Sequence, residues 1–197
     1  MRIDHLVVTC AVLEEGTDWL AGRLGVPPGP GGRHAYMGTH NRLLSLGPDC
    51  YLEVIAPDPD APDPGRPRWF GLDAAGAPAL THWAARVADV DAALAAAPEG
   101  AGTATELSRG DLAWRMGVTD APPMDGTFTM LLQWHGEGAA ARLPDAGCRL
   151  RALALRHPRS DRLRAALPID DPRLEIGQGP PGIAATIATP EGACVLG

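Results

Sequence analysis

One order of elements, β-α-β-β-β, reads twice along this chain, and that duplication restricts the fold more than any other feature. Residues 2–10 (Arg-Ile-Asp-His-Leu-Val-Val-Thr-Cys) are apolar and β-branched and predict a strand with Ile3, His5 and Val7 on one face. Over 12–24 the apolar positions Val12, Leu13, Trp19, Leu20 and Leu24 recur at near-helical spacing, and Gly25 supplies a stop. Short strands are expected at 34–39, 42–47 and 50–56 after the Pro/Gly stretch 27–32. The order returns with a strand at 80–87, a helix at 89–97 capped by Asp89, and strands near 103–108, 111–118 and 127–134. Between the two sets, 57–68 is too proline-rich to continue a sheet.

These patterns divide the chain into a first module at 1–58, a Pro/Asp-rich connector at 59–78, a second module at 79–136 and a C-terminal element at 147–197. That last element reads as a partial βαββ copy, with a strand at 149–156, a helix at 160–167 and strands near 173–177 and 183–188. It has three expected uses: covering a cleft, extending a sheet, or pairing two chains into a homodimer.

Polar residues inside apolar strands mark the two modules as related. His5 and His82 occupy the opening strands 77 residues apart (82 − 5), and Glu53 and Gln133 the closing strands 80 apart (133 − 53). Each residue alone has an ordinary reading. A strand histidine is commonly hydrogen-bonded within the core, Glu53 could pair with an arginine such as Arg86, and Gln133 could bond a neighbouring strand. Asn41, the single asparagine of the chain, suits a turn or a ligand contact. Trp69, Phe70, Trp114 and Trp134 suit either a core or the wall of an apolar pocket.

Composition narrows the chemistry. Hydrophobic residues at 45% and charged residues at 21% describe a globular chain. No apolar run approaches the length of a membrane helix, so no membrane partner is expected. The net charge of −7 opposes nucleic acid, whose binding depends on clustered cations. All seventeen Lys-plus-Arg residues are arginine, which removes the P-loop lysine, Schiff-base chemistry and any lysine base. Cys10, Cys50, Cys148 and Cys194 form no C-x-x-C pair and predict free thiols in a reducing compartment, with the cytoplasm as the expected location. The motifs of serine hydrolases, zincins and P-loop NTPases are absent.

Three segments carry a family likeness: Ile3-Asp4-His5-Leu6-Val7-Val8, Gly38-Thr39-His40-Asn41-Arg42-Leu43 with Gly32-Arg33-His34 before it, and Tyr51-Leu52-Glu53-Val54-Ile55-Ala56-Pro57. They resemble the glyoxalase-like domain proteins of the vicinal oxygen chelate superfamily, which includes glyoxalases, bleomycin-resistance proteins and dioxygenases. The likeness continues through Thr81-His82-Trp83-Ala84 and 128–134 and fades over the last fifty residues. It implies an α+β fold in which paired βαβββ modules form a curled mixed sheet around a cleft.

By position, the resemblance implies metal ligands at His5, Glu53, His82 and Gln133, with Glu53 also catalytic. It places His34, Thr39, Asn41 and Trp134 near a substrate. Imidazole, carboxylate and amide oxygen suit one divalent ion such as Zn, Ni, Fe, Mn or Co. The implied activity is that of a metal-dependent lyase, isomerase or dioxygenase acting on a small molecule with vicinal oxygens. Gln133 departs from the carboxylate often found at the last position, which leaves a proton shuttle resting on Glu53. The alternative is a metal-free module of the bleomycin-resistance type that binds or sequesters a small molecule.

Overall fold

The computed structural model describes residues 1–119 and 122–197. The first module contains β1 (Arg2–Thr9), α1 (Leu13–Leu24), β2 (Gly29–His34), β3 (Thr39–Ser45) and β4 (Tyr51–Pro57). Helix α1 buries Leu13, Gly16, Leu20 and Leu24 along one stripe and ends at Gly25, whose left-handed conformation lets its N–H bond the Ala21 carbonyl. The second module contains β5 (Ala79–Arg86), α2 (Val90–Ala96), β6 (Thr103–Arg109), β7 (Leu112–Val118) and β8 (Met130–Trp134). Asp89 caps α2 as expected, its carboxylate accepting from the Ala92 N–H at 3.0 Å.

The eight strands form one mixed sheet in the order β2-β3-β4-β1-β5-β8-β7-β6. In each module the opening strand runs parallel to the closing one, and β1 joins β5 antiparallel at the centre. The sheet curls until its edges approach: a Cβ placed on Gly32 of β2 would lie 2.7 Å from Arg109 Cδ on β6. Both faces are buried, which explains why β1 and β4 read as near-continuous apolar runs.

Three expectations need correction. The stretch 27–32 is no simple connector, because β2 begins at Gly29, and the strand expected at 34–39 is largely the turn that follows it. Pro30 is tolerated because β2 is an edge strand and a register shift between Pro30 and Arg33 relieves the ladder. The strand expected from 127 starts at Met130.

The C-terminal part contains β9 (Arg149–Arg156), α3 (Ser160–Ala166), β10 (Leu174–Gly177), β11 (Gly182–Thr189) and an unanticipated β12 (Gly192–Leu196). It forms its own sheet, β10-β9-β11-β12. Its opening strand pairs parallel with the next strand, β10, whereas β1 and β5 pair with the last strand of their modules, so the likeness to a module stops at linear order. Leu150, Leu153, Leu155, Leu163 and Ile187 join Ile3, Leu6, Val8, Leu20 and Trp83 in one core on the convex face. The element therefore backs the large sheet and neither extends it nor covers its hollow.

The concave face has a separate core. Val7, Tyr51, Ile55, Met130, Leu132 and Trp114 pack against Trp69, Phe70 and Leu72, which the connector delivers on a 3₁₀ segment, Trp69–Ala74. The four cysteines are free, three of them buried. Among the described residues, no helix is long and apolar enough to cross a membrane.

Candidate functional site

Alternation along β1 sends Ile3, Leu6 and Val8 to the convex core and Val7 to the concave one. A bulge between Ile3 and His5 breaks that alternation and brings Asp4 within reach of its neighbour. Asp4 Oδ1 lies 2.8 Å from His5 Nδ1, and Asp4 Oδ2 accepts from Trp134 Nε1 at 3.0 Å. Arg86 Nε stands 3.6 Å from the same oxygen, which compensates a carboxylate only 1% exposed. Arg86 thus serves Asp4, not Glu53.

The other nitrogen, His5 Nε2, faces Glu53 Oε2 at 3.6 Å. That is longer than a hydrogen bond, so the two groups confront each other without satisfying each other. Tyr51, two residues before Glu53 on the same face of β4, stacks on the imidazole with centroids 4.6 Å apart. Burial pushes the Tyr51 phenol well above its ordinary value and keeps it protonated.

Glu53 Oε1 accepts from Asn41 Nδ2, and Asn41 Oδ1 accepts from the Gly32 N–H at 2.8 Å. Asn41 is therefore a positioning residue, taking up the carboxylate oxygen that does not face His5. Thr39 Oγ1 lies 3.1 Å from His34 Nδ1, and His34 meets Trp69 and Trp114 edge-on at 5.1 and 6.2 Å. Desolvation lowers the His34 pKa to about 4, so the ring is neutral near pH 7.

These groups surround a cavity of about 30 Å³, room for one or two waters. His5, His34, Tyr51, Glu53 and Arg109 supply its polar lining. Trp69, Phe70, Trp114 and Trp134 supply its aromatic walls, so all four aromatic candidates meet here. A larger open groove of about 560 Å³ lies beside Val12 and Arg33, but Arg33 there is already paired with Asp58 and Asp60, at 3.2 and 2.8 Å. The inner cavity is the one that collects unsatisfied chemistry.

His82 and Gln133 do not join His5 and Glu53. His82 sits opposite Val7, with Nδ1 2.9 Å from Thr81 Oγ1 and Phe70 packed 5.3 Å away. Desolvation lowers its pKa to about 4. Gln133 lies between Leu132 and Trp134 on β8 and projects to the helix side, where Oε1 accepts from the Val90 N–H at 3.0 Å. The registers give the reason. Val7 pairs with Glu53 and Ala84 pairs with Met130. Val7 and Ala84 are related by the same 77 residues (84 − 7) as His5 and His82, so the counterpart of Glu53 is Met130 (130 − 53 = 77), not Gln133.

The implied divalent metal therefore does not fit the residues present. A thioether stands at the fourth position, and among the described residues no group of three or more His, Cys, Asp or Glu is placed to hold an ion. Sequence reading also passed over Asp4, Tyr51 and Arg109. Tyr51 was legible from its spacing to Glu53, whereas Asp4 depended on a bulge and Arg109 on curling of the sheet.

The sequence profile described as the glyoxalase-like domain matches residues 3–169. The chain belongs to the glyoxalase-like domain family. No curated protein matches it. Among solved structures, a hypothetical protein from Staphylococcus aureus is 10% identical with a TM-score of 0.58, over 98% of this chain and 83% of that one. It shares the fold. Methylmalonyl-CoA epimerase from Mycobacterium tuberculosis is 20% identical over 72% of this chain and 92% of its own, with a TM-score of 0.46. The Streptomyces coelicolor methylmalonyl-CoA epimerase is 19% identical over 68% and 96%, with a TM-score of 0.44.

Proposed function

We propose that this glyoxalase-like protein is an enzyme that moves a proton on a small molecule with vicinal oxygens, using His5 and Glu53 in place of a four-ligand metal centre. The observation that carries this reading is the approach of His5 Nε2 to Glu53 Oε2 at 3.6 Å on the wall of the inner cavity. Asp4 holds Nδ1 and thereby presents Nε2 to the cavity as the basic nitrogen. One member of the pair takes a proton from carbon beside a carbonyl, and the same pair returns it to the neighbouring carbon or oxygen. Tyr51 and the aromatic walls exclude water while this happens.

The test is solvent exchange. Acetoin, dihydroxyacetone and pyruvate are incubated with the protein in D2O, and loss of the C–H signal beside the carbonyl is followed by proton NMR. Protein-dependent exchange of at least one of them is expected to survive a chelator and to fall by roughly 10²-fold or more in His5→Gln and Glu53→Gln. Absence of exchange with all three, or equal exchange in the variants, would favour the binding module. Loss of exchange with chelator and its return with added metal would restore the metal-dependent reading.

A further inference from the structure

The cavity has a donor side that proton transfer at His5 and Glu53 does not use. Arg109, at the end of β6, is partly buried against the cavity and makes no hydrogen bond or ion pair among the described residues. The contrast on the adjacent strand is direct: Arg115 of β7 grips Asp91 at 2.5 Å and Glu106 at 3.0 Å. A guanidinium presents a planar fork of N–H groups, and leaving it unpaired beside aromatic walls forgoes its best interaction.

A second donor is unmet at the same place. Trp69 is 2% exposed and lines the cavity, and its Nε1–H is a buried side-chain donor without a partner. An indole nitrogen can only donate. Trp134, on the same cavity, gives its indole proton to Asp4. A cationic fork and a free N–H on one small cavity call for a planar group rich in acceptors.

We infer that the molecule bound in this cavity carries a carboxylate, received by Arg109 and the Trp69 Nε1–H. This rests on the reading of the cavity as a small-molecule site and narrows its substrate class to small oxyacids. The carboxylate is held on the donor side while the carbon next to it is presented to His5 and Glu53. Asn41 engages one oxygen of Glu53, and among the described residues no ion pair joins Glu53 to Arg109.

The full chain labelled with ¹⁵N gives indole N–H signals that report on the site, and Trp69→Phe identifies the one belonging to Trp69. Titration with formate and acetate is expected to shift that signal downfield, while formamide and acetamide, matched in shape but uncharged, leave it in place. Arg109→Met, which keeps the aliphatic stem, should weaken carboxylate binding roughly tenfold or more. Arg109→Lys, which keeps the charge and guards against misfolding of the first variant, should give a smaller loss. Equal shifts from acids and amides, no shift from either acid, or wild-type binding by a folded Arg109 variant would overturn the inference. Carboxylate binding without solvent exchange would sink the proton-transfer reading alone, and exchange without carboxylate binding would sink only this one.

Discussion

At the scale of single residues, the site depends on a backbone approach that only glycine permits. A Cβ on Gly31 would fall 2.2 Å from the Asn41 carbonyl oxygen and 2.3 Å from its side-chain Oδ1. Gly31 thus lets β2 lie close enough to β3 for the Gly32 N–H to fix the Asn41 amide, which in turn holds Glu53. Gly31→Ala is expected to cost about 2–3 kcal/mol in urea unfolding, because backbone has to move. Gly29→Ala on the same strand meets nothing nearer than 3.6 Å, so its cost should stay below about 1 kcal/mol. Equal losses at the two positions would contradict the role given to Asn41.

Among the elements, the connector does most to shape the hollow. Its segment Trp69–Ala74 lays two buried aromatic side chains onto the concave face. Phe70 sits at φ 58°, a left-handed conformation that disfavours a side chain by about 1–2 kcal/mol. The conformation persists because the ring packs 5.5 Å from Trp69 and 5.3 Å from His82. Without Trp69 the cavity would grow by most of an indole. Trp69→Ala should lower stability by about 3–5 kcal/mol, and added indole should raise the midpoint of thermal unfolding of the variant but not of the wild type. Failure of indole to discriminate between them would mean the connector does not form a wall.

For the whole molecule, burial of two imidazoles links stability to pH. His34 and His82 are held near pKa 4 by desolvation, against 6.5 when unfolded. Between those values the unfolded chain binds more protons than the folded one, so the stability present above pH 6.5 is lost as pH falls toward 4. The loss is on the order of 3 kcal/mol for each ring at the acid end. Urea melts at pH 7 and pH 5 should show it, and the double variant His34→Gln/His82→Gln should show a shallower dependence. An unchanged slope would place the titration elsewhere.

Read in the chain alone, the repeated β-α-β-β-β order and the places of His5, Glu53, His82 and Gln133 on opening and closing strands were already determined, because apolar patterning is a local property. Location on a strand was legible for Gln133, but its face was not. A displacement of three residues from the true repeat turns a side chain to the opposite surface, and only the pairing of Ala84 with Met130 reveals that displacement. The bulge that joins Asp4 to His5, the curling that brings Arg109 beside them and the different strand order of the C-terminal sheet all depend on contacts between distant segments. Such contacts follow from how strands are registered against one another, and no local pattern specifies that register.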